Sequence, residues 1–181
     1  MPRYVALLRG INVGGHRVKM DRLRTLFEEL GFGEVTTYIA SGNVIFSTDS
    51  SDVGGLREAV ELRLNDELGY EVATFIRTPE ELAAVADFHL ADRGSSSSFG
   101  SHYVIFLHAP ADASFRSKLT ELESDVDAFD FVGREIHWRT RGKLSESPLF
   151  SGSLDRATRG VPTTQRNINT VRRIVAKAAS G

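Results

Sequence analysis

Apolar positions change period along the chain, and those changes mark out its elements. Tyr4 to Leu8 is β-branched and apolar without alternation, which predicts a central strand covered on both faces. A glycine-rich loop follows, from Gly10 to His16. Met20, Leu23, Leu26, Phe27 and Leu30 then recur at helical spacing, and Gly31 supplies the stop. Glu34 to Ala40 alternates as a strand does, Ser41-Gly42 makes a tight turn, and Asn43 to Ser47 continues in the same style. Asp52 is placed to cap a helix through Leu56, Val60, Leu64 and Leu68 that closes at Gly69, after which Glu71 to Arg77 returns to strand. The order is β-α-β-β-α-β, that of the ferredoxin-like unit.

The second half repeats this order imperfectly. Pro79 starts a helix through Leu82, Val85 and Ala86, and Gly94 to Ser98 is a low-complexity loop. His102 to His108 is an apolar strand, while Phe115, Leu119 and Leu122 define a helix. Phe129 to Val132 and Glu135 to Thr140 pair as a hairpin turning at Gly133-Arg134. A loop of roughly 20 residues leads to a last helix capped by Thr163 or Thr164, with an apolar face of Ile168, Val171, Val175 and Ala178. No clear fourth strand is visible. The expected fold class is thus α+β, with a ferredoxin-like subdomain over residues 1–78 and a second α+β subdomain with a basic C-terminal helix over 79–181, or one compact domain made of both.

Composition narrows the function classes. The 181 residues include no cysteine, which removes disulfide scaffolds, zinc ribbons, iron–sulfur clusters and thiol nucleophiles together. No apolar run near the start is long enough for a signal peptide or a membrane span, so the expectation is a cytoplasmic protein with no membrane partner. The net charge of −2 conceals an asymmetry. Residues 134–181 carry ten basic and three acidic side chains, whereas residues 1–133 carry twelve basic and twenty-one acidic ones. Within that acidic stretch, Arg3, Arg9, Arg17, Lys19, Arg22 and Arg24 face only Asp21. Two basic segments suit phosphate or nucleic acid, or equally a solvated face.

Three segments carry the candidate chemistry. In the first, Arg9, Gly10, Ile11, Asn12, Val13, Gly14, Gly15 and His16 link strand to helix, with Lys19 close behind. Backbone amides there can approach an anion, although the spacing fits neither the P-loop nor the dinucleotide fingerprint. In the second, Ser41 and Asn43 sit at the bend between two strands, where turn chemistry alone also explains them. In the third, Arg166, Thr170, Arg173 and Lys177 fall at i, i+4, i+7 and i+11 on one face of the last helix, a cationic stripe suited to phosphates or equally a solvated face. The five histidines form no HExxH and no close pair in sequence; His102 and His108 share the face of one predicted strand but lie roughly 20 Å apart. No catalytic residue, metal or cofactor is assigned.

The same segments carry a family resemblance. Leu7-Leu8-Arg9-Gly10-Ile11-Asn12-Val13-Gly14-Gly15, Tyr38-Ile39-Ala40-Ser41-Gly42-Asn43-Val44-Ile45-Phe46 and Arg166-Asn167-Ile168-Asn169-Thr170-Val171 resemble the bacterial family known as domain of unknown function 1697. That family usually carries Trp between the two asparagines, where this chain has Ile168, so no aromatic ring is offered there. The resemblance implies a compact α+β protein and no particular activity. Convergence of the three segments would set Arg9, Asn12, Gly14, Gly15, His16, Lys19, Ser41, Asn43, Arg166, Asn167, Asn169, Thr170 and Arg173 around one ligand. The expected function is therefore binding of a phosphate-bearing ligand, with nucleic acid favoured over a phosphorylated small molecule. The alternatives are an enzyme acting on a small phosphorylated or carboxylated metabolite and a self-associating interaction module.

Overall fold

A computed structural model describes residues 1–12, 15, 17–39, 42–88 and 100–180. The chain divides into two compact units, one made of Met1–Ala84 with Arg172–Gly181 and the other of Val85–Val171.

The first unit contains β1 (Arg3–Leu8), α1 (Met20–Glu29), β2 (Gly33–Thr37), β3 (Asn43–Ser47), α2 (Val53–Leu68) and β4 (Thr74–Arg77). Its antiparallel sheet has the order β2-β3-β1-β4. Tyr4, Ala6 and Leu8 face one side and bury Phe27, Phe46, Leu23, Leu26 and Val60 with them. Phe32 stacks on Phe46 at 4.6 Å and Phe27 meets its edge at 5.6 Å. Val5, Leu7, Ile45 and Phe75 point the other way and are buried as well, which explains why β1 shows no alternation. The ends of α2 follow from local chemistry. Asp52 accepts a hydrogen bond from the Gly55 N–H at 3.0 Å, and Gly69 closes the helix at φ 75°. The helix α3 (Pro79–Ala86) opens on a reciprocal cap, in which Thr78 Oγ1 accepts from Glu81 N–H and Glu81 Oε2 from Thr78 N–H.

The second unit contains β5 (Ser101–Phe106), α4 (Ala113–Thr120), β6 (Asp127–Val132), β7 (Glu135–Thr140), two 3-10 turns at Leu144–Glu146 and Pro148–Ser151, α5 (Ser153–Ala157) and β8 (Thr164–Asn167). Its sheet order, β6-β7-β5-β8, is the order of the first sheet with each strand replaced by its counterpart. The expected absence of a fourth strand is therefore corrected. Thr164 to Asn167 pair with β5, and the last helix, α6 (Ile168–Ala179), starts only afterwards. The sequence concealed this strand because its inward residues are polar, Thr164 and Arg166, so no apolar alternation marks it. Asn167, not Thr163 or Thr164, caps α6, accepting from the Asn169 N–H at 2.9 Å. The buried face of α6 runs through Ile168, Val171, Ile174 and Ala178, with Ile174 in place of Val175.

Ile105, Phe115, Leu119, Phe129, Ile136 and Trp138 form the core of the second unit. Strand ends move by a few residues from expectation: His108 lies beyond β5, Glu71 precedes β4, and β2 ends at Thr37. The Gly94–Ser98 loop lies outside the described residues. Among the described residues no helix is long and apolar enough to cross a membrane.

Candidate functional site

The first two motifs meet at one end of the first sheet. Leu8 N–H donates to the Gly42 carbonyl at 2.8 Å, and Arg9 N–H to the Ala73 carbonyl at 2.9 Å. Gly42 has φ 81°, and a Cβ there would stand 2.8 Å from Ile11 Cγ2 and 3.0 Å from Leu8 Cβ, so only glycine lets the hairpin close on the loop. Asn43 is buried and its Nδ2 donates to the Tyr38 carbonyl, while Tyr38 N–H returns a bond to the Asn43 carbonyl. Asn12 Oδ1 accepts from Val18 N–H at 2.9 Å and ties the loop shut ahead of α1. These positions do structural work that the residue types alone left open between turn and ligand contact. Gly15 is exposed at φ 88° with nothing near its missing Cβ, and Gly14, His16 and Ser41 lie outside the described residues.

Cations on this loop are left to solvent. Arg9, Arg17 and Lys19 are exposed, and Lys19 occupies the cap position of α1 without a side-chain cap bond. The other basic residues of the N-terminal cluster are neutralised. Arg22 pairs with Glu29 at 3.1 Å and Glu67 at 2.7 Å, Arg63 pairs with the same two carboxylates, and Arg3 pairs with Glu34 at 2.9 Å. Hydrogen bonds from Arg63 and Arg22 hold the Glu29 and Glu67 carboxyls below their ordinary range, against a smaller opposing effect of desolvation. Among the described residues, Arg9, Arg17, Lys19, Arg173 and Lys177 enter no ion pair.

The third motif departs from its expected geometry. Arg166 is not on the terminal helix. It sits on β8 opposite Val104, 7% exposed, with Nη1 donating to Thr164 Oγ1 and to the Gln165 carbonyl, both at 2.8 Å. Burial lowers its pKa to about 10, which still leaves it charged at neutral pH. The expected stripe thus loses its first member. Asn169 and Arg173 are exposed on α6 with Arg172 and Lys177, whereas Thr170 is half-buried. Arg9, Asn12 and Asn43 belong to the first unit and Arg166 to the second.

One cluster escaped sequence reasoning. His102 Nε2 lies 2.8 Å from His137 Nδ1, so the two histidines form a close pair after all, 35 residues apart in the chain. Across β5 and β7, His102 stands opposite Arg139 and His137 opposite Val104, which makes the imidazoles diagonal neighbours on one face. Only the strand register could have revealed this. Phe88 stacks on His137 at 4.0 Å, and Arg139 on the same face pairs with Asp130 at 2.9 Å. Burial chiefly, then the charges of His102 and Arg139, push the His137 pKa down to about 3. A pair at this distance shares one proton, and the guanidinium beside it disfavours a bound cation.

No curated protein matches the chain. Among solved structures, the conserved bacterial protein SP0830 from Streptococcus pneumoniae superposes with a TM-score of 0.79 at 26% identity, covering 99% of both chains. A second, an unknown protein from Galdieria sulphuraria, covers 92% of this chain and 98% of its own at 12% identity, with a TM-score of only 0.28. The model of the family described as protein of unknown function (DUF1697) matches residues 1–137, a stretch holding the first two motifs and most of both sheets, and the chain belongs to that family.

Proposed function

We propose that the protein binds a phosphate-bearing polyanion, with nucleic acid favoured, through the exposed cations of the β1–α1 loop and of α6. The observation that carries this reading is the contrast among basic residues: Arg3, Arg22 and Arg63 are held by glutamates, while Arg9, Arg17, Lys19, Arg173 and Lys177 are exposed and enter no ion pair among the described residues. Unneutralised cations on an acidic body attract phosphate and release counterions on binding. The mode differs from that of ferredoxin-like domains that stack bases on an open sheet, because Val5, Leu7, Ile45 and Phe75 are buried on the face such domains use. Contacts would go to the backbone, with little preference for sequence. The cytoplasm is the compartment of this reading, and a cysteine-free chain is compatible with it.

Fluorescence anisotropy with labelled single-stranded and duplex RNA, at low and physiological salt, tests the proposal. Five cations meeting a single strand would give a log–log salt slope of about −3.5. The triple variant Arg9→Glu, Arg17→Glu, Lys19→Glu and the pair Arg173→Glu, Lys177→Glu should each weaken binding and flatten that slope. Absence of saturable binding at low salt, where phosphate attraction is strongest, would overturn it.

A further inference from the structure

The two units repeat one another in register. Leu7 pairs with Asn43 and Leu8 N–H donates to the Gly42 carbonyl; in the second unit Phe106 pairs with Glu135 and Leu107 N–H donates to the Arg134 carbonyl. The match extends to the outer strands, where Val5 pairs with Arg77 and Val104 with Arg166. Each guanidinium donates through Nη1 to the carbonyl of the residue before it, Ile76 at 2.9 Å and Gln165 at 2.8 Å. The first unit is elaborated at one end of its sheet. Residues 9–19 join β1 to α1 where 107–112 join β5 to α4, and residues 38–42 join β2 to β3 where Gly133 and Arg134 suffice between β6 and β7. Loops lengthened on one copy of a repeated scaffold are where function is grafted.

Within those loops one position departs from its counterpart in chemistry but not in conformation. Tyr38 N–H bonds to the Asn43 carbonyl as Val132 pairs with Glu135, so Ile39 stands where Gly133 stands in the second unit. Both are left-handed, with φ 57° at Ile39 and φ 56° at Gly133. Glycine adopts that region freely, whereas a β-branched residue is strained there. The two bonds between Tyr38 and Asn43, and Gly42 seated against Ile11 and Leu8, enforce the conformation. Burial does not compensate, because Ile39 is 38% exposed. Its strand lies two strand spacings from β1, which puts its backbone roughly 10 Å from that of Arg9. Arg9, Arg17 and Lys19 are exposed at this end of the sheet.

We infer that Ile39 is a base-contacting residue of the polyanion site and that the ligand is single-stranded nucleic acid, whose base faces are open beside the phosphates. This rests on the polyanion reading of the β1–α1 loop. A duplex covers its base faces by stacking, so it offers phosphate to the cations and no base face to Ile39. In a single strand the isoleucine covers an unstacked base while the loop cations hold flanking phosphates, a contact that every base can make. A lone aliphatic side chain buries too little area to anchor the protein in a bilayer.

Fluorescence anisotropy on the full chain tests the inference with an RNA single strand, the same strand made abasic through its centre, and the duplex. The variants are Ile39→Gly and Ile39→Asn, two residues that accept the left-handed conformation. Wild type should prefer the intact strand to the abasic one by about fivefold, the value of covering the exposed part of one isoleucine. Both variants should melt at or above the wild-type temperature, lose that preference, and bind the abasic strand and the duplex within about twofold of wild type. Equal loss on all probes, or a melting temperature lowered by more than a few degrees, would overturn the inference by making Ile39 a packing residue. Unchanged affinity of the variants for the intact strand would overturn it while the polyanion reading stands, whereas absence of wild-type binding to every probe removes both. Ile39-dependent capture by mixed phosphatidylcholine and phosphatidylserine vesicles, tighter than by the strand, would overturn it in favour of a lipid surface.

Discussion

His137 and His102 face each other with ring nitrogens 2.8 Å apart under the plane of Phe88, and His137, 1% exposed, is held neutral chiefly by its burial and secondarily by the charges of His102 and Arg139. A folded-state pKa of about 3 against an ordinary value of 6.5 means that the unfolded chain binds a proton there that the native state refuses. Stability from this group is present above pH 6.5 and is lost as pH falls toward 3, by up to about 1.4 kcal/mol per pH unit. Urea unfolding at pH 7.5 and 4.5 should show this loss, and His137→Leu should have a shallower dependence across the same window. An equal slope in wild type and variant would place the acid sensitivity elsewhere.

Gly42 and Gly15 make a contrasting pair at the first site. Both have positive φ, but a side chain at Gly42 meets Ile11 and Leu8 within 3.0 Å, whereas one at Gly15 meets nothing within 4 Å. Gly15→Ala should cost about 1–2 kcal/mol from backbone strain alone. Gly42→Ala adds overpacking of a buried junction, for a total of about 2–5 kcal/mol. Chemical denaturation of the two variants side by side measures the difference, and equal costs would show that the hairpin relaxes away from Ile11.

How much of this was legible beforehand depended on whether burial was apolar. Leu23, Leu26 and Phe27, or Leu56, Val60 and Leu64, announce their helices by spacing, and Asp52 and Gly69 announce the ends of α2. β8 was hidden because its inward residues, Thr164 and Arg166, are the kind expected at a surface. The same substitution of polar for apolar burial hid the His102–His137 pair, since nothing in two single histidines reports that β5 and β7 will lie side by side in that register. In the first two motifs, residue type left Asn12 and Asn43 open between turn and ligand contact, and only their bonds to Val18 and Tyr38 show them holding the loop.

Asp127 is a buried carboxylate satisfied by neutral donors. It accepts from Trp138 Nε1 at 2.8 Å and from Ser147 Oγ at 2.9 Å and 3.0 Å, and so pins the turn after β7 to the sheet. Removing it leaves an indole N–H and a hydroxyl buried without that acceptor, so Asp127→Ala should cost about 2–5 kcal/mol. Ser147→Ala, which removes one donor and the bond it accepts from Leu149 N–H, should cost less, about 1–2 kcal/mol. Thermal denaturation with tryptophan fluorescence reads both, because the single Trp is itself the reporter.

Arg166 and Arg173 come from one stretch of sequence yet should behave oppositely when reversed in charge. Arg166 is buried on β8 and bonded to Thr164 and Gln165, so Arg166→Glu puts an uncompensated carboxylate into the sheet and should destabilise the protein by about 3 kcal/mol or more. Arg173 is exposed on α6 and enters no ion pair among the described residues, so Arg173→Glu should leave the melting temperature within a few degrees of wild type and act only on polyanion binding. Measuring melting temperature and RNA affinity on both variants separates fold from contact. A stable Arg166→Glu protein would mean that β8 tolerates the charge and that the burial of this guanidinium is not what holds the strand.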